Sequence, residues 1–340
     1  MKFRFLILIT MIAVLLLSSC ANNQTATATT TSTVSATSAS NTTPVKIKLP
    51  VGYVPDIQFA PLYVAIDKGY YAAAGLDVSI DYSMENDNTV LVGTGDLSFA
   101  IVSGEQVLLA RAQQLPVVYV MAWYQKYPIA IVTKTSSGIK SVSDLRGKKI
   151  GIPGLYGASY IGAMALLDSA GITQNDVTFD SIGYNQVAAL EANKDDAEVV
   201  YTTNEPLQLS KQGVDYTLFK TSDAVELVGN GLITNEKTIQ NNPELVKAMV
   251  AATLKGIQYT IDHPDEAYQI SKKYVANLSA ADQNVQMQVL LASIDEWKTT
   301  NLGYSDPKAW QNMQTILLKM SLITQPMDLS NVFTNNYLPK

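Results

Sequence analysis

The sequence predicts an α/β protein of two lobes, with a hinged cleft between them and a helical C-terminal wrap. Three features carry this expectation. Strand-like and helix-like segments alternate from Val45 onward, as in α/β layers with mostly parallel strands. The stretch from 131 to 231 is α/β, like the start of the chain, and reads as an insertion. After Asp265 the pattern is purely helical, over 265–274, 280–297 and 306–320. The expected organisation is one lobe from 45–130 plus 232–340 and a second from 131–231, joined by two chain crossings. A cleft between such lobes gathers strand C-termini and helix N-termini around a ligand.

The chain of 340 residues has room for two domains, and at 47% hydrophobic and 16% charged it holds enough apolar material for real cores. The formal charge is −6 and nothing basic is clustered, which argues against a nucleic-acid groove. With one Cys and one His, the chain forms no internal disulfide and assembles no Cys/His metal site.

At the N-terminus, residues 1–19 read as a signal peptide. Lys2 and Arg4 precede an apolar run of 12 residues from Leu6 to Leu17, short of the roughly 20 that span a bilayer. Leu17-Ser18-Ser19-Cys20 resembles a bacterial lipobox, whose Cys becomes the lipidated first residue; the alternative is an ordinary secretory signal with an incidental Cys. Removing Lys2 and Arg4 takes the formal charge from −6 to −8. The Thr/Ser/Ala/Asn-rich segment that follows buries no core and reads as a disordered tether. Its 24 residues from Ala21 to Pro44 behave as a coil of roughly 27 Å.

In the folded part, the strand VKIKLPVGY from Val45 runs into a loop at Pro55. A helix opens at Ala60-Pro61 and stops at Gly69, and LDVSIDY follows as a second strand. Val117–Ala122 and Ile129–Thr133 read as buried strands, as do Lys149–Ile152 and Glu198–Tyr201. Ser159–Ala170 reads as a helix closed by Gly171. Asn242-Pro243-Glu244 supplies an N-cap, an N1 proline and a first-turn acid for a long apolar-striped helix.

The loops at strand ends hold the candidate ligand contacts. Tyr53 and Phe59 follow the first strand, and Glu85, Asn86 and Asp87 follow the second. Glu105 opens a helix after Ser103-Gly104. Trp123 and Tyr124 end VVYVMA. In the second lobe, Tyr156, Gly157, Ala158 and Ser159 form a turn whose helix directs its first N–H groups into the cleft. Tyr184 opens the next helix, and Asn204 follows EVVY. Aromatic faces with a few polar edges suit a flat, neutral heteroaromatic. Each residue also has a structural reading: core packing for Tyr53, a hydrophobic staple for Phe59, a solvated turn for 85–87, capping for Ser159. Tyr63, Tyr70 and Tyr71 read as packing, and rings that serve a ligand are expected to be partly exposed.

FAPLYVAIDKGYYAAAGLDV, the Gly95-Asp96 step into LSFAI, and SVSDLRGKKIGIPG resemble the substrate-binding proteins of ABC importers, over about 45–275. The branch is the one shared by sulfonate, thiamine-pyrimidine and riboflavin binders and by thiamine-pyrimidine synthases. The resemblance implies a type II periplasmic-binding-protein fold. YSMENDNTVLVGTG, SGEQVLLARAQQLPVVYVMAWYQKYP, GIPGLYGASY and GNGLITNE are most similar to riboflavin-binding importer lipoproteins. This implies riboflavin or a related vitamin as ligand, an ABC permease with its ATPase as partners, a lipid anchor on the extracytoplasmic face of the cell membrane, and no cofactor or metal. A pyrimidine precursor of thiamine is the alternative ligand, and a sensor role for the same cleft stays open. The synthase branch requires an active-site His and a Cys-rich iron motif. Here the one His, His263, falls near a C-terminal helix end, and the one Cys is Cys20.

Overall fold

The computed structural model describes residues 43–340. The signal, lipobox and tether expectations therefore lie outside the described residues. Ten strands and thirteen helices follow in order: β1 (Val45–Pro50), α1 (Ala60–Asp67), α2 (Tyr70–Ala73), β2 (Leu76–Asp81), α3 (Glu85–Thr94), β3 (Ala100–Val102), α4 (Gly104–Ala112), β4 (Val117–Ala122), β5 (Ile129–Lys134), β6 (Lys149–Ile152), α5 (Gly157–Ser169), β7 (Thr178–Ser181), α6 (Gln186–Glu191), β8 (Ala197–Tyr201), α7 (Glu205–Lys211), β9 (Tyr216–Lys220), α8 (Thr221–Ala224), β10 (Gly231–Asn235), α9 (Glu236–Asn241), α10 (Pro243–Asp262), α11 (Pro264–Ser271), α12 (Gln283–Trp297) and α13 (Pro307–Lys319).

The local signals explain the element ends. Pro61 sits in the first turn of α1, and Gly69, at φ +70°, turns the chain after it. Asn242 caps α10, its side chain accepting from Leu245 N at 3.1 Å.

The strands form two matching sets. β1 pairs with β2, the bridge Val51–Ile101 links β1 to β3, and β10 lies between β3 and β4. The second sheet runs β7-β6-β8-β5-β9. Each set has parallel strands on one side and an antiparallel insertion on the other: β10 opposes β3 and β4, and β5 opposes β8 and β9. Four of the five strands in each set run the same way, so the expectation of mostly parallel strands holds, with β10 and β5 the one reversed strand in each. β5 and β10 are the strands by which the chain enters one sheet directly from the other, so each points away from the cleft while strands such as β1, β6 and β8 point toward it.

The cores follow the sheets. Leu49, Tyr63, Trp123, Met249 and Trp297 belong to one buried cluster, built on β1–β4 and the helices α1 and α10–α12. A second cluster joins α4, α5 and α13 with β5 and β6, through Leu108, Ile129, Ile150, Ile161 and Trp310. The chain end adds to the edge of β4: Tyr119 N donates to Val332 O, and Thr334 N to Tyr119 O, both at 2.9 Å. Trp310 stacks on Phe333 behind that edge.

Candidate ligand-binding cleft

Between the two strand sets lies a cleft of about 1050 Å³, counting its mouth. It is walled by the segments that leave the strand ends, so the residues that line it come from both halves of the molecule.

The first wall follows β1. Asp56 caps the turn 57–59, its carboxylate accepting from Gln58 N at 2.9 Å. This aims Gln58 across the cleft, where its Nε2 donates to Thr203 Oγ1 at 2.5 Å. Tyr53 and Phe59 line the cleft and are half-buried. Phe59 meets Trp123 edge-on at 6.1 Å, and Trp123 packs on Trp297 at 5.7 Å. Tyr53 reaches the opposite wall, its ring edge-on to Tyr184 at 5.2 Å. Burial, and then the Glu205 carboxylate, hold the Tyr53 phenol above its ordinary value.

The second wall is the turn into α5. Gly157 holds φ +65°, a conformation that L side chains avoid. Tyr156 folds over Gly154, where an added Cβ would lie 2.4 Å from the ring. No side chain caps the helix, so the capping reading of Ser159 fails, and Gly157, Ala158 and Ser159 line the cleft with free helix N–H groups among them. Tyr184, Asn204, Glu205, Gln186 and Tyr201 complete this side.

The polar floor is a chain of fixed groups. Glu85 Oε2 accepts from Ser103 N at 3.0 Å and from Ser103 Oγ at 2.8 Å, and Glu85 Oε1 accepts from Asn230 Nδ2 at 2.9 Å. Burial and the nearby Glu105 push the Glu85 carboxyl up to about 7. Burial, with a smaller push from the Asp56 carboxylate, raises Glu205, also to about 7. Asn230 O accepts from both Trp123 N and Tyr124 N at 3.0 Å, tying the two crossings together.

Of the fourteen residues proposed from the sequence, the structure places twelve on the cleft: Tyr53, Phe59, Glu85, Asn86, Trp123, Tyr124, Tyr156, Gly157, Ala158, Ser159, Tyr184 and Asn204. Asp87 and Glu105 are the exceptions. Residues 85–87 form the first turn of α3 rather than a loop, and Asp87 is exposed on its outer side, where an acid favours the helix N-terminus. Glu105 is fully buried behind the wall, hydrogen-bonded to Ser103 Oγ and, at 3.4 Å, to the Tyr127 hydroxyl. Trp123 and Tyr124 are only 2% and 8% exposed, so the expectation of partly exposed rings holds for Tyr53 and Tyr184 and not for these two.

Sequence reasoning left out Gln58, Tyr201 and Asn230. Tyr201 is the last residue of β8, the position that faces a cleft of this kind. Asn230, between Gly229 and Gly231, is a polar residue at a crossing. Both signals are present in the chain. Among the described lining residues there is no Lys, Arg, His or Cys. The cleft can therefore stack flat rings and bond their edges, and it offers no side-chain cation to an anionic ligand.

The family described as NMT1/THI5 like matches residues 56–267. Over 347 aligned residues the chain is 38% identical to the riboflavin-binding protein RibY of Chloroflexus aurantiacus, covering 100% of this chain and 99% of that protein. It is 27% identical to a formylaminopyrimidine-binding protein of Halalkalibacterium halodurans, covering 97% and 98%. Among solved structures, the periplasmic aliphatic sulphonate binding protein SsuA of Escherichia coli superposes with a TM-score of 0.69 at 13% identity, over 88% of this chain and 94% of that one. The fold is that of periplasmic binding proteins.

Proposed function

The chain belongs to the NMT1/THI5-like family, and from that premise we propose that it is an extracytoplasmic solute-binding lipoprotein that captures riboflavin and hands it to the permease of an ABC importer. One observation carries the ligand: a cleft lined by aromatic rings from both walls, with two carboxyl groups and no cation among its described lining residues. A flavin ring is flat and neutral, and stacking contributes about 0.5–1.5 kcal/mol per aromatic contact beyond burial. The amides of Gln58, Asn86, Gln186 and Asn204 suit the hydroxyls of a ribityl chain. The 38% relative named for riboflavin supports the same choice.

A thiamine pyrimidine precursor is the second reading, supported by the relative named for formylaminopyrimidine. We read the protein as a receptor and not a synthase: His263 stands at the end of α10, away from the cleft, and among the described lining residues there is neither Cys nor Lys. We infer a lipid anchor at Cys20 from the likeness of Leu17-Ser18-Ser19-Cys20 to a lipobox.

Calorimetric titration with riboflavin, its 5′-phosphate and formylaminopyrimidine tests the proposal. Riboflavin is expected to bind best, with the phosphate weakened by Glu85 and Glu205. Equal affinity for the phosphate, or binding of the aminopyrimidine alone, would contradict it.

A further inference from the structure

Resting on the riboflavin reading, we propose that Asn230 reads a ring N–H of the ligand, and that Glu85 is the positioning residue that fixes which end of the Asn230 amide is left to do so. The two ends of an amide have nearly the same shape, and their partners decide the orientation. Asn230 Nδ2 donates to Glu85 Oε1 at 2.9 Å. Glu85 is itself anchored through Oε2 by Ser103 N and Ser103 Oγ. An ionised carboxylate only accepts, so it selects the NH₂ end of Asn230.

The other end, Asn230 Oδ1, is buried and has no hydrogen-bond partner among the described residues. The residue is 9% exposed and lines the cleft. A buried acceptor without a donor is costly, and a ligand that brings an N–H relieves that cost. The backbone keeps the residue in place, since its carbonyl takes the N–H groups of both Trp123 and Tyr124. The matching chemistry is an N–H on the edge of a flat ring whose face lies against the neighbouring aromatics. In a flavin this is the imide N3–H of the pyrimidine edge.

The test compares riboflavin with N3-methylriboflavin by flavin fluorescence quenching at pH 8, above the Glu85 value of about 7, on wild type, Asn230→Ala and Ser103→Ala. Wild type is expected to prefer riboflavin by about 10- to 100-fold, the effect of one buried acceptor gained or left unpaired. Asn230→Ala is expected to bind both flavins within about threefold of each other. Ser103→Ala, which loosens Glu85 from outside the cleft, narrows the preference. The wild-type comparison needs no variant to fold. Equal wild-type affinities overturn the assignment while riboflavin binding still upholds the functional reading. A preference that persists in Asn230→Ala also overturns it. Failure to bind either flavin overturns the functional reading and this inference with it.

Discussion

Replacing Gly52 with Ala tests the floor of the cleft. Gly52 follows directly on Val51, and the Glu85 side chain lies across it. A Cβ at Gly52 would stand 2.1 Å from Glu85 Cγ, 2.6 Å from Oε1 and 2.7 Å from Cδ. No such contact is tolerated, so Glu85 must move. It is held by three hydrogen bonds, two from Ser103 and one from Asn230. Overpacking costs about 1–3 kcal/mol, and bonds to a charged group are worth about 1.5–3 kcal/mol each, partly recovered by water. A net loss of about 2–4 kcal/mol follows, a fall in Tm of about 3–6 °C. Released from Glu85, the Asn230 amide loses its orientation, and riboflavin affinity drops by about tenfold or more. Thermal denaturation without ligand reads the first effect, and fluorescence titration reads the second. A Gly52→Ala protein with wild-type Tm and wild-type affinity would show that Glu85 does not fill this wall.

Tyr53→Ala is expected to weaken riboflavin binding by about 1–2 kcal/mol, or five- to thirtyfold, with little loss of stability. Tyr71, 2% exposed and bonded to Thr253 Oγ1 at 3.0 Å, should show the reverse: Tyr71→Ala costs about 3–5 kcal/mol of stability and leaves the affinity of the folded protein near wild type. Stability should fall as pH rises from about 4.5 to about 7. Folded Glu85 and Glu205 hold protons up to about 7, whereas the unfolded carboxyls lose theirs near 4.5, so the folded state binds more protons in that window. Urea titrations across it check the sign, Glu205→Gln should flatten the slope, and a rise in stability over the same window would contradict the burial argument. Cys20→Ala should abolish labelling by a radioactive fatty acid; a labelled variant would sink the anchor.

The fold was legible where the signals were local and strong. Pro61, Gly69 and the Asn242-Pro243-Glu244 cap mark helix ends in single residues, and the structure keeps each one. β4 and β5, buried along nearly their whole length, showed as continuous apolar runs. β7 and β9 did not: they are the edges of the second sheet, half exposed, and their residues alternate too weakly to stand out. The reversal of β5 and β10 within otherwise parallel sets was not legible, since it depends on which sheet a strand is entered from, and no residue encodes that. In the site, ends of strands pointed to most lining residues. Glu105 misled because its position after Ser103-Gly104 fits a cleft contact, while α4 turns it inward toward Tyr127. Asn230 went unnoticed because its role arises from Glu85, 145 positions away in the chain.

The most direct test of the account is an equilibrium titration of riboflavin fluorescence against the purified protein. Ring stacking in the cleft predicts saturable quenching at one flavin per chain, with a weaker response for Tyr53→Ala. No quenching at saturating protein, with calorimetric binding of formylaminopyrimidine by the same sample, would contradict the riboflavin reading.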